Sequence, residues 1–321
     1  MPKKAVVHKT KLAPKGRYAK LTLNWTFKRS FTSKGYCDLL ITLLNTFLKR
    51  KLTHPIKTIH IKNPYVQGET KSSRDAIFDV YCQDSKGNKF IVEMQMGKQA
   101  YFIKRTLFYL CMAVANSAPK GKDWDFNFPR VYSLSFINFD LDFGEGNDEI
   151  VQYLSLSNET NPKIRYTYIS LVYVRLTMFK KVIEECKSLQ DKLLFTFCNM
   201  HRLKERPKQL KGVFFDKLFE IAEFSNFTNM ELSKYMSRKM AQWDRSAQLK
   251  YAKDTAMKSG MRKGMREGKR EGMKEGMREG MREGMREGVL QTARNMLAKG
   301  VKPATVARYT DLPVEQIKAM T

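Results

Sequence analysis

The chain has 321 residues, 42% hydrophobic and 12% aromatic, with a formal net charge of +27, enough for a full core plus a smaller second element. Five widely spaced cysteines (Cys37, Cys82, Cys111, Cys186, Cys198), mostly in apolar runs, argue against a disulfide framework or a CxxC metal site and for thiols in a reducing compartment. No stretch approaches the roughly 18 consecutive apolar residues of a spanning helix, and the basic N-terminus lacks an apolar segment, so the sequence reads as soluble and cytoplasmic, with no membrane partner.

Residues 1–62 carry fifteen Lys or Arg against one acid, Asp38. Residues 1–20 show no apolar periodicity and read as a disordered basic leader, able to follow a phosphate backbone or simply to remain a solvated tail. From Tyr36 to Leu48 the spacing of Leu39, Leu40, Leu43, Leu44, Phe47 and Leu48 predicts a core-facing helix. Strands are expected over 56–66, 76–83 and 90–96, a helix over 99–115, and strands over 131–139, 150–156 and 170–178, with helices to residue 250. The order is mixed α/β, with a core over 21–180 and a helical region over 181–256.

Residues 257–288 form a four-residue repeat with Gly at 260, 264, 268, 272, 276, 280, 284 and 288, and mostly Met three residues before each. Each Gly costs about 1 kcal/mol relative to Ala in a helix. A Gly stripe also lets two helix backbones approach, so the repeat reads either as an arm joining a homodimer or as a flexible linker. Its ten basic and six acidic residues leave it only modestly positive, so most of the excess charge lies elsewhere and favours nucleic acid as partner. Residues 289–321 read as a small helical tail, with a short helix from Val289 to Ala298, a stop at Gly300 and new starts at Pro303 and Pro313; it is similar to a helix-turn-helix or to a capping bundle.

The chemistry concentrates in "AIFDVYCQDSKGNKFIVEMQM" (76–96), two alternating runs around the turn formers at 84–88. A turn centred on Lys86 sets Val80 opposite Val92, Cys82 opposite Phe90, Phe78 opposite Met94 and Asp79 opposite Glu93, with Gln95 further along the acidic face. Facing carboxylates repel unless a cation lies between them. Mg²⁺ suits two carboxylates and leaves room for a phosphate oxygen, with Mn²⁺ as the alternative, which makes phosphodiester hydrolysis the reaction class. The competing reading is a hairpin whose solvent face bears charges. Against it, "FIVEMQM" is almost entirely apolar, as in a buried strand, where Glu93 would be costly without a partner. The four histidines (His8, His54, His60, His201) show no metal-ligand spacing, and no phosphate-binding Gly loop is present.

"FDV" with "KFIVEMQ", the downstream "FIKRTLFYL" and "RVYSLSFINF", the upstream "FKRSF" and "LLITLLNTFL", and the Met-Arg-Glu-Gly repeat together resemble the recombination-promoting nuclease/transposase family of the PD-(D/E)XK nuclease superfamily, over about residues 21–288. The resemblance implies a restriction-endonuclease-like mixed sheet flanked by helices, and Mg²⁺-dependent cleavage of DNA in recombination or transposition. It puts Asp79 and Glu93 at the two metal-ligand positions, and Gln95 at the position that holds Lys in the superfamily and Gln in this family. Relatives commonly carry Asp where this chain has Asn24, three residues before Phe27-Lys28, so a helix-borne ligand is weakened here; Glu69 is a candidate substitute. Lys28, Lys98, Lys104 and Arg105 are candidate phosphate contacts. RNA as substrate, and a catalytically weakened DNA-binding protein with the same fold, stay open at this stage.

Overall fold

A computed structural model describes residues 14, 16–67, 74–99, 101–117, 125–141, 143 and 148–320. The chain divides into two compact units, Met1–Gln242 and Trp243–Thr321. Among the described residues no helix is long and apolar enough to cross a membrane.

The first unit opens with helices α1 (Asn24–Thr32) and α2 (Cys37–Phe47). Short strands β1 (Ile59–Ile61), β2 (Tyr65–Val66) and β3 (Ala76–Ile77) lead to β4 (Val80–Asp84) and β5 (Lys89–Gln95). Helix α3 (Phe102–Ala115) and strands β6 (Val131–Ile137), β7 (Val151–Ser157) and β8 (Arg165–Arg175) complete the sheet, before helices α4 (Leu189–Asn199) and α5 (Val213–Ala222). Six strands lie in the order β1-β4-β5-β6-β8-β7, with β5, β6 and β8 parallel and the remaining pairs antiparallel. This mixed sheet flanked by helices is consistent with a restriction-endonuclease-like α/β fold.

One sheet face is the main core. Val80, Cys82, Phe90, Val92 and Met94 join Phe136 and Val174 beneath α1, α2, α4 and α5. At its centre Phe136 meets Phe47 at 5.1 Å and Phe197 at 4.9 Å between ring centroids, and the Phe27 ring lies tilted 6.1 Å from Phe136. The other face carries Tyr81, Ile91 and Val131 against Leu110 and Ala113 of α3. Because β5 is covered on both faces, every residue from Phe90 to Met94 is buried, which explains the unbroken apolar run around Glu93.

Several expectations change. The strand over 56–66 is two short pieces that serve different sheets, β1 against β4 and β2 against β3, with Pro64, which has no N–H to donate, between them. The strand over 76–83 breaks at Phe78–Asp79. The basic leader is shorter than residues 1–20 at its C-terminal end: Tyr18 is 3% exposed and bridges to Glu223, and the Ala19 amide donates to the Ala222 carbonyl at 2.8 Å. Gly16, at φ +98°, permits this approach, since a Cβ there would meet the His201 carbonyl oxygen at 3.2 Å.

Helix α6 (Asn229–Ala298) begins in the first unit and includes the glycine repeat. Within the second unit residues 243–288 of this helix are exposed. The separate helix expected from Val289 is the end of α6, continuous because no breaker stands between the repeat and Ala298. Two short helices follow, α7 (Pro303–Thr310) and α8 (Val314–Lys318). Val306, Ala307 and Ile317 bury against Ala293 in a small core.

Candidate active site

The turn between β4 and β5 fixes the register on which the site depends. Asp84 Oδ1 accepts from the Lys86 and Asn88 amides at 2.9 Å each, its Oδ2 accepts from the Asn88 side chain at 2.9 Å, and Gly87 takes φ +85°. Val80 therefore faces Val92, Tyr81 faces Ile91, and Cys82 faces Phe90. Alternation then turns Glu93 and Gln95 toward the α3 face.

The ladder stops at Val80, short of the direct Phe78–Met94 and Asp79–Glu93 pairs that strict alternation predicts. Side chains take over from the backbone. The Asp79 amide donates to Glu93 Oε1 at 3.1 Å, and the Met94 amide donates to Asp79 Oδ2 at 2.9 Å. A continued strand would set two buried carboxylates side by side; the break lets each find a main-chain donor instead.

Asp79 is 9% exposed and Glu93 2%. Helix α1 closes the site from one side: the Asn24 amide nitrogen donates to Asp79 Oδ1, and the Lys28 ammonium lies 3.7 Å from the same oxygen. Gln95 Nε2 donates to Glu93 Oε2 at 3.1 Å, and Gln99 Nε2 donates to Gln95 Oε1 at 3.3 Å. Burial, and then the neighbouring Asp79 charge, push the Glu93 carboxyl up to about 8, against the opposing pull of the Asp79 amide, Gln95 and Arg105. Arg105 acts from α3; its guanidinium lies 5.2 Å from the Phe102 ring and 5.6 Å from the Tyr109 ring, and among the described residues its buried Nε has no hydrogen-bond partner.

Asp79, Glu93, Gln95, Asn24 and Lys28 thus converge by direct contact, and Arg105 bears on them electrostatically. Lys98 and Lys104 are exposed, and Lys104 rests over the Tyr101 ring at 5.7 Å; no contact joins either to the carboxylates. Glu69 lies outside the described residues. Among the described residues no group of three His, Cys, Asp or Glu forms a metal-binding set. The donors present are two carboxylates, with the amides of Gln95 and Asn24 beside them. Such a hard-oxygen set fits a Mg²⁺ ion that keeps several of its waters, and a buried acid pair that resists double ionisation is relieved by a divalent cation.

A family model described as PD-(D/E)XK nuclease family transposase matches residues 21–252. The chain belongs to this family. The PD-(D/E)XK match spans α1 through the first part of α6 and so includes every described residue of the carboxylate cluster. Membership points to a nuclease- or transposase-like role for the chain. No curated protein and no solved structure matches this PD-(D/E)XK chain.

Proposed function

We propose that this protein is a Mg²⁺-dependent endonuclease that hydrolyses phosphodiester bonds in DNA, in the service of recombination or transposition. The observation that carries the reading is the buried pair of Asp79 and Glu93, each held by a main-chain amide beside the other, with no cation at ion-pair distance from Glu93 among the described residues. These two side chains would hold the ion, with the Asn24 amide turned to present its oxygen. When bound, the ion supplies Lewis acidity toward a phosphate oxygen and neutralises developing charge. Gln95 carries no charge and cannot serve as a base; pinned to Glu93, it is set to orient a water or a phosphate oxygen by hydrogen bonding. Lys28 brings an ammonium to the Asp79 side of the site, where the superfamily lysine position is filled by Gln95. The net charge of +27 supports a polyphosphate substrate.

A second reading has its own support. Lys28 and Asn24 already satisfy Asp79 without metal, the arrangement that a DNA-binding protein with a weakened centre would keep. Purified protein incubated with supercoiled plasmid, with Mg²⁺ or EDTA, alongside Glu93→Ala, separates the two. Metal-dependent nicking lost in the variant supports the nuclease; gel retardation without cutting supports the binding protein. Structured RNA in the same assay tests the preference for DNA.

A further inference from the structure

A cavity of about 540 Å³ opens where β5 and β6 end, at Met96 just after Gln95 and Asn138 just after Ile137. Its other walls come from Lys20 and Thr22, just before α1, and from His201 and Arg202, just after α4. Along the chain it follows β5 and precedes α1, while its wall residues Leu176, Phe195 and Phe197 belong to the main core, on the sheet face opposite Glu93 and Gln95; none of these side chains takes part in the carboxylate cluster.

Two polar atoms in the wall are orphaned. Thr22 is 3% exposed, and among the described residues its buried Oγ1 has no hydrogen-bond partner and neither has the buried His201 Nδ1. Buried polar groups are normally paired, so a ligand that satisfies both relieves a cost built into the fold. The charge of the wall is one-sided. Lys20, Lys180, Lys181 and Arg202 line it, and among the described residues no Asp or Glu does. Lys181 is held by Asp191 at 2.9 Å, and the rim residue Thr177 donates to Asp140 at 3.0 Å. Among the described residues Lys20, Lys180 and Arg202 have no carboxylate at ion-pair distance. Burial, and then the charges of Lys20, Arg202 and Lys239, push His201 down to about 4; burial with Arg202 and Lys239 also lowers Lys20. Mutual repulsion of this kind is what a bound anion removes.

The geometry points to a binding site for one phosphate group of a nucleic-acid strand, held by Thr22, His201, Lys20 and Arg202 at the end of β5 and β6. The choice of a nucleic acid as the source of that phosphate rests on the nuclease reading; the anion site does not. The group is either an internal phosphodiester or a terminal phosphate at a strand end, and both present the same oxygens to the wall.

The test uses the full chain in EDTA, with chloride at matched ionic strength as baseline. The probes are inorganic phosphate, the dinucleotide TpT and its 5′-phosphorylated form pTpT, and the readout is the His201 imidazole NMR signal, assigned with His201→Gln. A bound phosphate raises the His201 titration midpoint by about one pH unit or more, and Thr22→Val and Arg202→Ala each weaken binding by about tenfold. Val matches Thr in shape, so Thr22→Val keeps the fold while removing the hydroxyl. Equal effects of TpT and pTpT assign an internal phosphodiester; an effect of pTpT and inorganic phosphate alone assigns a terminal one. An unmoved midpoint with all three probes, or unchanged affinity in both variants, overturns the site. Plasmid cleavage with Mg²⁺ on the same preparations keeps the readings apart: phosphate bound without cutting removes the nuclease and leaves this site, and cutting without phosphate bound removes this site alone.

Discussion

Asp79 and Glu93 are cross-linked through each other's strands: the Asp79 amide donates to the Glu93 carboxylate at 3.1 Å, and the amide of Met94, next to Glu93, donates to the Asp79 carboxylate at 2.9 Å. Neither acid can move without freeing a main-chain donor, the Met94 amide in β5 or the Asp79 amide in the break before β4. The pair is held in place before any ligand arrives, and the cost of holding it shows in the raised pKa of Glu93.

That cost sets a dependence on pH. The folded-state pKa of Glu93, about 8, lies above its ordinary 4.5, so the stability from keeping it protonated is full below about pH 4.5 and is lost as pH rises toward 8. In EDTA the melting temperature of the parent should fall across this window more steeply than that of Glu93→Gln. At pH 8 the variant should be the more stable, by roughly 2–4 °C for each kcal/mol recovered. Mg²⁺ should stabilise the parent and leave the variant unmoved. Parallel melting curves for the two proteins at every pH would remove the buried charge from the account.

Asp79→Ala should abolish plasmid cutting, by about a hundredfold or more, while leaving DNA retardation nearly intact, because the acid contributes to chemistry and not to charge-driven affinity. Lys28→Met should reduce cutting less. It should also lower the Mg²⁺ concentration needed to protect the protein against melting, because the ammonium 3.7 Å from Asp79 competes with the ion. An unchanged metal requirement in that variant would separate Lys28 from the metal site.

Gln95→Ala should slow cleavage by about tenfold to a hundredfold, as expected for loss of one oriented hydrogen-bond donor or acceptor, with little change in DNA affinity. Gln95→Glu places a third carboxyl beside Glu93, and the added negative charge should tighten metal binding and lower the Mg²⁺ concentration needed. Single-turnover rates against metal concentration check both variants. Full activity in Gln95→Ala would leave Gln95 as packing alone.

Much of this site is legible in the sequence because its determinants are local. The turn formers at 84–88 set the register, and an acid inside "FIVEMQM" announces itself by its surroundings. The break at Phe78–Asp79 is not local, since it follows from Glu93 lying opposite and from β2 claiming Ala76 and Ile77. The cationic cavity was hidden for a similar reason. Lys20 ends a stretch that looks like a solvated leader, and His201 and Arg202 follow about 180 residues later with no recognisable spacing; only the packing of Tyr18 and Ala19 beside α5 brings them together.

In the repeat, open space surrounds the position that a Cβ would take at each glycine from Gly260 to Gly288. If this segment acts as a monomeric linker, Gly→Ala at 272, 276 and 280 should raise helicity and thermal stability, by up to about 1 kcal/mol per site. If it joins two copies through close backbone approach, the same changes should weaken cross-linking of full-length protein. Higher helicity with undiminished cross-linking would exclude the glycine stripe as the seam.

A repeat of four residues on a helix of 3.6 residues per turn does not return to the same side: each tetrad advances by about 40° and rises about 6 Å. Methionine, arginine, glutamate and glycine therefore run as four threads of a screw, and no flat face exists along the whole segment. Gaining or losing one tetrad would shift the α7–α8 tail by one step of that thread, in rotation and height together, without altering any side chain in its core. Number of repeats is thus a mechanical setting of the second unit, adjustable in evolution by whole steps and independent of the chemistry at Asp79 and Glu93.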